Sequence, residues 1–295
     1  MSDNSRDIFV ISDLHMGDGG PRDNLATEGK ESQIDRFLDH VAAEDGELII
    51  LGDLFDFWQA HVGNVLALRK NYLDRFAEMG ATYVTGNHDA DLEALIGTDF
   101  LKHPFFERMV GPFERTIGGR KFKFIHGHEV EPFSSYDTPG WGRIFAILVG
   151  IMEDKKGSPL LSAGGLGERS MLGLSRVFMG LWNLFVNSFE KTKKRKKTHP
   201  HHVEDELTPA QRPEHTKKIV SLFRKHLEEN GYDAIIAGHT HRVGSLGDWY
   251  FNSGCWVGMR ENFLKISPEG EVVVYDWTDD GPVARKGNNQ ESVVQ

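Results

Sequence analysis

The chain has 295 residues, of which 39% are apolar and 26% charged, the balance of a globular protein with a sizeable core rather than of a disordered or fibrous one. Its 34 basic residues face 44 acidic ones, and six of the bases are gathered in residues 191–197; so acidic a chain lacks the basic face that a phosphate backbone demands, which excludes a general nucleic-acid binder. A lone cysteine, Cys255, precludes an intrachain disulfide, and the opening MSDNSRDIFV has neither the basic nor the apolar part of a secretory signal, so the expected compartment is cytoplasmic.

In chain order, Ile8 to Ser12 is a short β-branched run that reads as a buried strand. Ser32 to Glu44 follows, with Ile34, Phe37, Leu38 and Val41 at helical spacing, then a second strand from Glu47 to Leu51. The spacing of Leu68, Tyr72, Leu73 and Phe76 predicts one helix over Val65 to Met79, ahead of a strand from Thr82 to Thr85. Strand, helix, strand, helix, strand is the rhythm of a layered α/β domain. Arg120 to Ile125 is a further strand, Lys217 to Glu229 a helix and Asp233 to Ala237 a strand. Two β-rich stretches, Trp249 to Val257 and Asn262 to Trp277, complete it, the second turning at Ser267 to Gly270. The polar tail after Trp277 reads as frayed. Residues 1–128 and 214–278 are thus expected to form one catalytic domain, interrupted by an insertion over 129–213.

Each core strand ends in a turn rich in oxygen and nitrogen: Asp13-Leu14-His15, Gly52-Asp53-Leu54-Phe55-Asp56, Gly86-Asn87-His88-Asp89, His126-Gly127-His128 and Gly238-His239-Thr240-His241. Ligands of α/β sheets gather beyond the carboxyl ends of the strands, so five such turns can converge on one point. The i, i+2 pairs Asp13/His15 and His239/His241 would project to one side in extended backbone, each pair gripping one site. Imidazole with carboxylate suits a borderline divalent ion, manganese above all, with iron or zinc as alternatives, better than magnesium or calcium. Asp53 is placed to bridge two ions roughly 3.5 to 4 Å apart, the arrangement that clamps an in-line displacement at phosphorus. Cys255 reads as a small core residue.

The ordered set DxH, GDxxD, GNHD, HGH and GHTH resembles the calcineurin-like metallophosphoesterase family over the whole chain except the insertion and the tail. The resemblance implies a four-layer αββα sandwich. It also implies a first metal on Asp13, His15, Asp53 and His241, a second on Asp53, Asn87, His126 and His239, and a metal-bridging hydroxide as nucleophile. His88 is similar to the family's catalytic histidine, oriented by Asp56, and would stabilise the transition-state oxygens or protonate the leaving group. DLHMG, GDLFDFW and GHTHR are closer still to the UDP-diacylglucosamine hydrolase branch of the family, which cuts a lipid-linked pyrophosphate. That branch usually carries arginine in place of His88 and aspartate in place of His128. Arg242, from GHTHR, and His128 are candidate substrate contacts, and for His128 a plain loop position is the other reading.

The insertion holds two strongly apolar stretches, Trp141 to Met152 and Met171 to Phe189, followed by KTKKRKK. Arg176, Asn183 and Asn187 interrupt the second stretch, so a transmembrane span is disfavoured. Phe178, Trp182 and Phe185 belong to a wide apolar face that reads either as a buried cap helix or as an interfacial helix over an acyl chain. In the second reading the basic run meets anionic headgroups at a membrane periphery; in the first it is a solvated linker. His199, His201 and His202, beside Pro200, read as linker. Three functions stay in play: a hydrolase of a lipid-linked pyrophosphate or phosphodiester, a soluble nucleotide or cyclic-nucleotide phosphodiesterase, and a non-catalytic scaffold.

Overall fold

The structure, a computed structural model, describes residues 6–20, 23–98, 102–130 and 212–285. The chain divides into two units, residues 1–139 with 208–295, and residues 140–207. The second unit lies wholly outside the described residues, and with it both apolar stretches of the insertion, Phe178, Trp182, Phe185, the basic run and His199, His201 and His202.

Within the first unit, strands β1 (Ile8–Ile11), β2 (Glu47–Leu51), β3 (Thr82–Val84) and β4 (Met109–Val110) pair in parallel, each beside the next. On the other side of β1 stand three antiparallel strands, β10 (Asn262–Ile266), β11 (Val272–Thr278) and β12 (Gly281–Ala284). A second sheet has the order β5 (Phe113–Ile117), β6 (Arg120–Phe124), β7 (Ala234–Ala237), β9 (Tyr250–Asn252), β8 (Gly244–Leu246), with β6, β7 and β9 parallel.

Alternation along each strand decides the layers. Ile8 and Val10 of β1 and Ile49 and Leu51 of β2 join Phe122 and Phe124 of β6 and Ala234 and Ile236 of β7 in one core between the sheets. The intervening Phe9, Ile11, Leu48 and Ile50 pack outward against Ile34, Phe37, Leu38 and Val41 of α1 (Lys30–Ala43) and against Tyr72, Leu73 and Phe76. On the far side, Ile235 and Ala237 of β7 meet Phe223 and Leu227 of a long helix, Arg212–Asn230. Helix, sheet, sheet, helix: the expected four-layer sandwich is present.

Four expectations need correction. The single helix over Val65 to Met79 is two, α2 (Val62–Leu68) and α3 (Lys70–Glu78). The chain kinks at Arg69, whose buried guanidinium donates to the Gly17 carbonyl at 3.1 Å, to Glu31 at 2.7 Å and to Asp23. The tail does not fray at once, because β12 pairs with β11 through the backbone, a ladder to which its polar side chains are blind. The helix expected from Lys217 begins at Arg212; a polar first turn carrying Pro213 leaves no apolar signal, although proline is suited there. The stretch Trp249 to Val257 is strand only over β9, because Ser253 N–H turns to the Ala237 carbonyl and Trp256 N–H to the Asp13 carbonyl. The Arg212–Asn230 helix is α5 below.

Candidate metal centre

The five turns leave the carboxyl ends of β1, β2, β3, β6 and β7, so both sheets contribute to one rim. Their backbone is far from extended. Asp13 (φ 55°), His15 (48°), Asp53 (50°), His239 (67°) and His241 (54°) all occupy the left-handed region; among the described residues only one other non-glycine, Asp45, does so. Each such residue costs on the order of 1–3 kcal/mol and persists where its surroundings over-determine it. Asp13 N–H donates to Gly52 O and His15 N–H to Asp53 O, both at 3.0 Å. The Leu14 carbonyl between them accepts from Asn24 Nδ2 at 2.9 Å.

The extended-backbone argument for the i, i+2 pairs therefore fails; Asp13 and His15 still serve one group, but His239 and His241 do not. Asp13, His15 and His241 bring ligand atoms together, whereas His239 gathers with Asp53 and His126. Two glycines permit the approach: a Cβ on Gly52 would collide with the His126 ring, and one on Gly86 with the Asp53 carboxylate.

In the first group His15 Nε2 lies 3.3 Å from His241 Nε2, and His241 Nε2 lies 3.1 Å from Asp13 Oδ1. In the second, His126 Nδ1 donates to the Leu51 carbonyl at 2.8 Å, which directs the Nε2 lone pair inward. Asp53 Oδ2 stands between the groups, 3.7 Å from His15 Nε2 and 3.3 Å from His126 Nε2. Asp13 Oδ2 accepts from Ser12 Oγ and from His239 N–H, leaving Oδ1 to face the cluster.

These residues fit divalent cations. Asp13 Oδ1, Asn87 Oδ1 and His126 Nε2 are buried without a hydrogen-bond partner, an expensive state that a cation would relieve. The electrostatics agree. Burial pushes the Asp53 and Asp13 carboxyls up, but His126 with His88 for the one, and His241 with His126 for the other, hold both below the usual range. Burial, reinforced by the charge on His88, lowers His15 to about 4, so it presents a neutral imidazole. Imidazole, carboxylate and amide together make a donor set for borderline metals.

Beside this cluster His88 Nδ1 meets Asp56 Oδ1 at 3.0 Å. Burial lowers the His88 imidazole, yet Asp53 and Asp56 outweigh it and leave the ring above its ordinary value. His88 also shares a group with His15 and Asp53, so one of its ring nitrogens lies within reach of the cluster. His128 is 94% buried by its 6% exposure, its ring 5.5 Å from His126 and 6.3 Å from His239; it stands at the second group and is no solvated loop residue. Arg242 directly follows His241, half-buried, its N–H 3.4 Å from Thr240 Oγ1.

Several supporting residues were not singled out by the sequence. Glu129 accepts His126 N–H at 3.1 Å and Gly127 N–H at 2.6 Å, tying down the HG turn. Asp89, fully buried, accepts Gly86 N–H at 2.5 Å and Phe55 N–H at 3.2 Å. Trp58 stacks on His88 with ring centroids 3.8 Å apart. Asp89 and Trp58 lie within GNHD and GDLFDFW and Glu129 directly follows HGH, but the sequence carries no sign of the backbone or ring that each one holds.

A family model described as calcineurin-like phosphoesterase matches residues 7–243, the span that carries every residue of the cluster. The chain belongs to the calcineurin-like phosphoesterase family. It is accordingly a hydrolase acting on phosphoester bonds, of a family that uses divalent metals. Among solved structures it is similar to a dimetal phosphatase from Danio rerio, at 14% identity and a TM-score of 0.47, covering 96% of this chain and 99% of that one. It is similar also to a Vps29 double mutant from Entamoeba histolytica, at 12% identity and a TM-score of 0.42, over 96% of this chain and 99% of that one. No curated protein matches the chain. Among the described residues no helix is long and apolar enough to cross a membrane.

Proposed function

We propose that this metallophosphoesterase works with two divalent ions, manganese for preference, and that its substrate is a lipid-linked pyrophosphate or phosphodiester. One ion would be held by Asp13, His15, Asp53 and His241, the other by Asp53, Asn87, His126 and His239. The observation that carries the dinuclear reading is the position of Asp53 Oδ2, within 3.7 Å of His15 Nε2 on one side and 3.3 Å of His126 Nε2 on the other.

When bound, such ions would supply Lewis acidity toward a phosphoryl oxygen and lower the pKa of a water they hold. The chain's own groups do the rest. Asp13 and Asp53 provide the negative charge that retains the cations in a buried site. Asp56 holds the Nδ1 proton of His88, so that Nε2 can donate to a phosphoryl or leaving-group oxygen. His128 and Arg242 are the substrate contacts at the rim.

The lipid-linked class is supported by sequence: the likeness in DLHMG, GDLFDFW and GHTHR, and the apolar face of Phe178, Trp182 and Phe185 ahead of six bases. Peripheral contact with an anionic bilayer follows from the same features. The test is a manganese-supplemented hydrolysis panel of bis-p-nitrophenyl phosphate, cyclic nucleotides, nucleoside diphosphate sugars and UDP-diacylglucosamine. Fastest turnover on the lipid-bearing pyrophosphate, with a dependence on detergent, is expected; preference for a cyclic nucleotide without detergent dependence would overturn the substrate class, and inertness toward all four would leave a scaffold.

A further inference from the structure

The segment Leu54-Phe55-Asp56-Phe57-Trp58 divides its side chains between two destinations. Phe55 and Phe57 are buried in the outer core and stack on each other with centroids 5.4 Å apart. Asp56 and Trp58 turn to His88 instead. The Trp58 indole lies over the His88 imidazole at 3.8 Å between centroids and 19° between planes. Its backbone N–H donates to Asp56 Oδ1 at 3.2 Å, the oxygen that His88 Nδ1 meets at 3.0 Å. The neighbouring Phe57 N–H donates to the His88 carbonyl at 3.3 Å. His15 presents its ring to His88 edge-on, at 4.5 Å and 90°.

A single hydrogen bond at Nδ1 locates one atom of an imidazole and leaves the ring free to swivel about that contact. A parallel aromatic surface removes the swivel. Trp58 remains partly exposed and is absent from the buried core, so its stack on His88 does not follow from core burial. We propose that Trp58 is a positioning residue: it fixes the plane of His88, and so the direction of Nε2, while Asp56 fixes its Nδ1. The proposal rests on the reading of His88 as the catalytic imidazole.

The test uses the full chain with Trp58→Leu, which keeps bulk but removes the aromatic face, Trp58→Phe, which keeps a face, His88→Ala, and the Trp58→Leu/His88→Ala double variant. In NMR spectra of metal-free and zinc-loaded protein, the His88 ring resonances, assigned by their loss in His88→Ala, should lose their upfield ring-current displacement in Trp58→Leu and retain most of it in Trp58→Phe. On bis-p-nitrophenyl phosphate Trp58→Leu should lower kcat roughly 2- to 10-fold, the scale of one aromatic pair, with KM and manganese affinity unchanged, and Trp58→Phe should restore most of it. In the His88→Ala background Trp58→Leu should have no further effect.

Unmoved His88 resonances, or an equal loss from Trp58→Leu in both backgrounds, would overturn the proposal while leaving the role of His88 intact. If His88→Ala itself leaves kcat unchanged, the catalytic reading of His88 falls and takes the rate contribution of Trp58 with it.

Discussion

Asp53 and His88 lie 35 residues apart in sequence, and the His88 N–H donates to Asp53 Oδ1 at 2.8 Å, yet their substitutions should behave differently. Asp53→Asn keeps the shape of the side chain but removes the charge facing both donor groups, so turnover of bis-p-nitrophenyl phosphate should be abolished; unchanged turnover would refute the bridging assignment. His88→Ala should leave bound manganese near the wild-type level and lower kcat by a factor of roughly 10² to 10⁴, the usual size of a lost acid contact. If the variant instead loses an ion, with the residual rate in proportion to occupancy, His88 is a ligand. The residues that gather here were legible because each is an unusual donor at a strand end, a pattern that survives without knowledge of distance. Asp89, Glu129 and Trp58 were not, because their work is done on a neighbour's backbone or ring. The period-2 reading joins His239 to His241, because left-handed φ values at Asp and His leave no mark in it; the family resemblance assigns the two to different metals.

At the scale of elements, apolar spacing identified α1, the parallel strands β1, β2, β3, β6 and β7 and the β10–β11 hairpin, because each buries a face whose period shows in the sequence. It joined α2 to α3 because Arg69 sits within a run of correct periodicity, while the reason for the kink lies in Asp23 and Gly17, about fifty residues earlier. That contact suggests a measurable consequence. Asp23 accepts the N–H groups of Gly17, Gly19 and Leu25 at 2.8, 2.7 and 2.9 Å, holding the loop that follows His15. Arg69→Met would leave this buried carboxylate without its cation, and unfolding in urea should show a loss of about 3–5 kcal/mol. A loss under about 1 kcal/mol would show that the N–H groups alone satisfy Asp23. The strands β4, β5, β8 and β12 escaped the sequence because their pairing is a backbone property: β4 and β8 are only two and three residues long, and β5 and β12 carry exposed side chains.

For the whole molecule, the arrangement explains why two sheets are needed. The first sheet delivers Asp13, His15, Asp53 and Asn87, the second His126, His239 and His241, and the core of Ile8, Val10, Phe122 and Ile236 holds the two rims together. The insertion adds the substrate question. Replacing Phe178, Trp182 and Phe185 together by serine should raise KM for a lipid-bearing pyrophosphate while sparing bis-p-nitrophenyl phosphate. Flotation with anionic liposomes should weaken as salt rises. Equal loss of both activities would make the segment plain core.

If the Asp53 carboxylate joins two metal sites, the chain must bind two ions for one active centre, and metal stoichiometry measures that. Manganese titrated into the metal-free full chain, with turnover followed on the same samples, should saturate at two ions per chain for the wild type, with activity appearing only as the second ion binds. Full activity at one ion per chain would contradict the account.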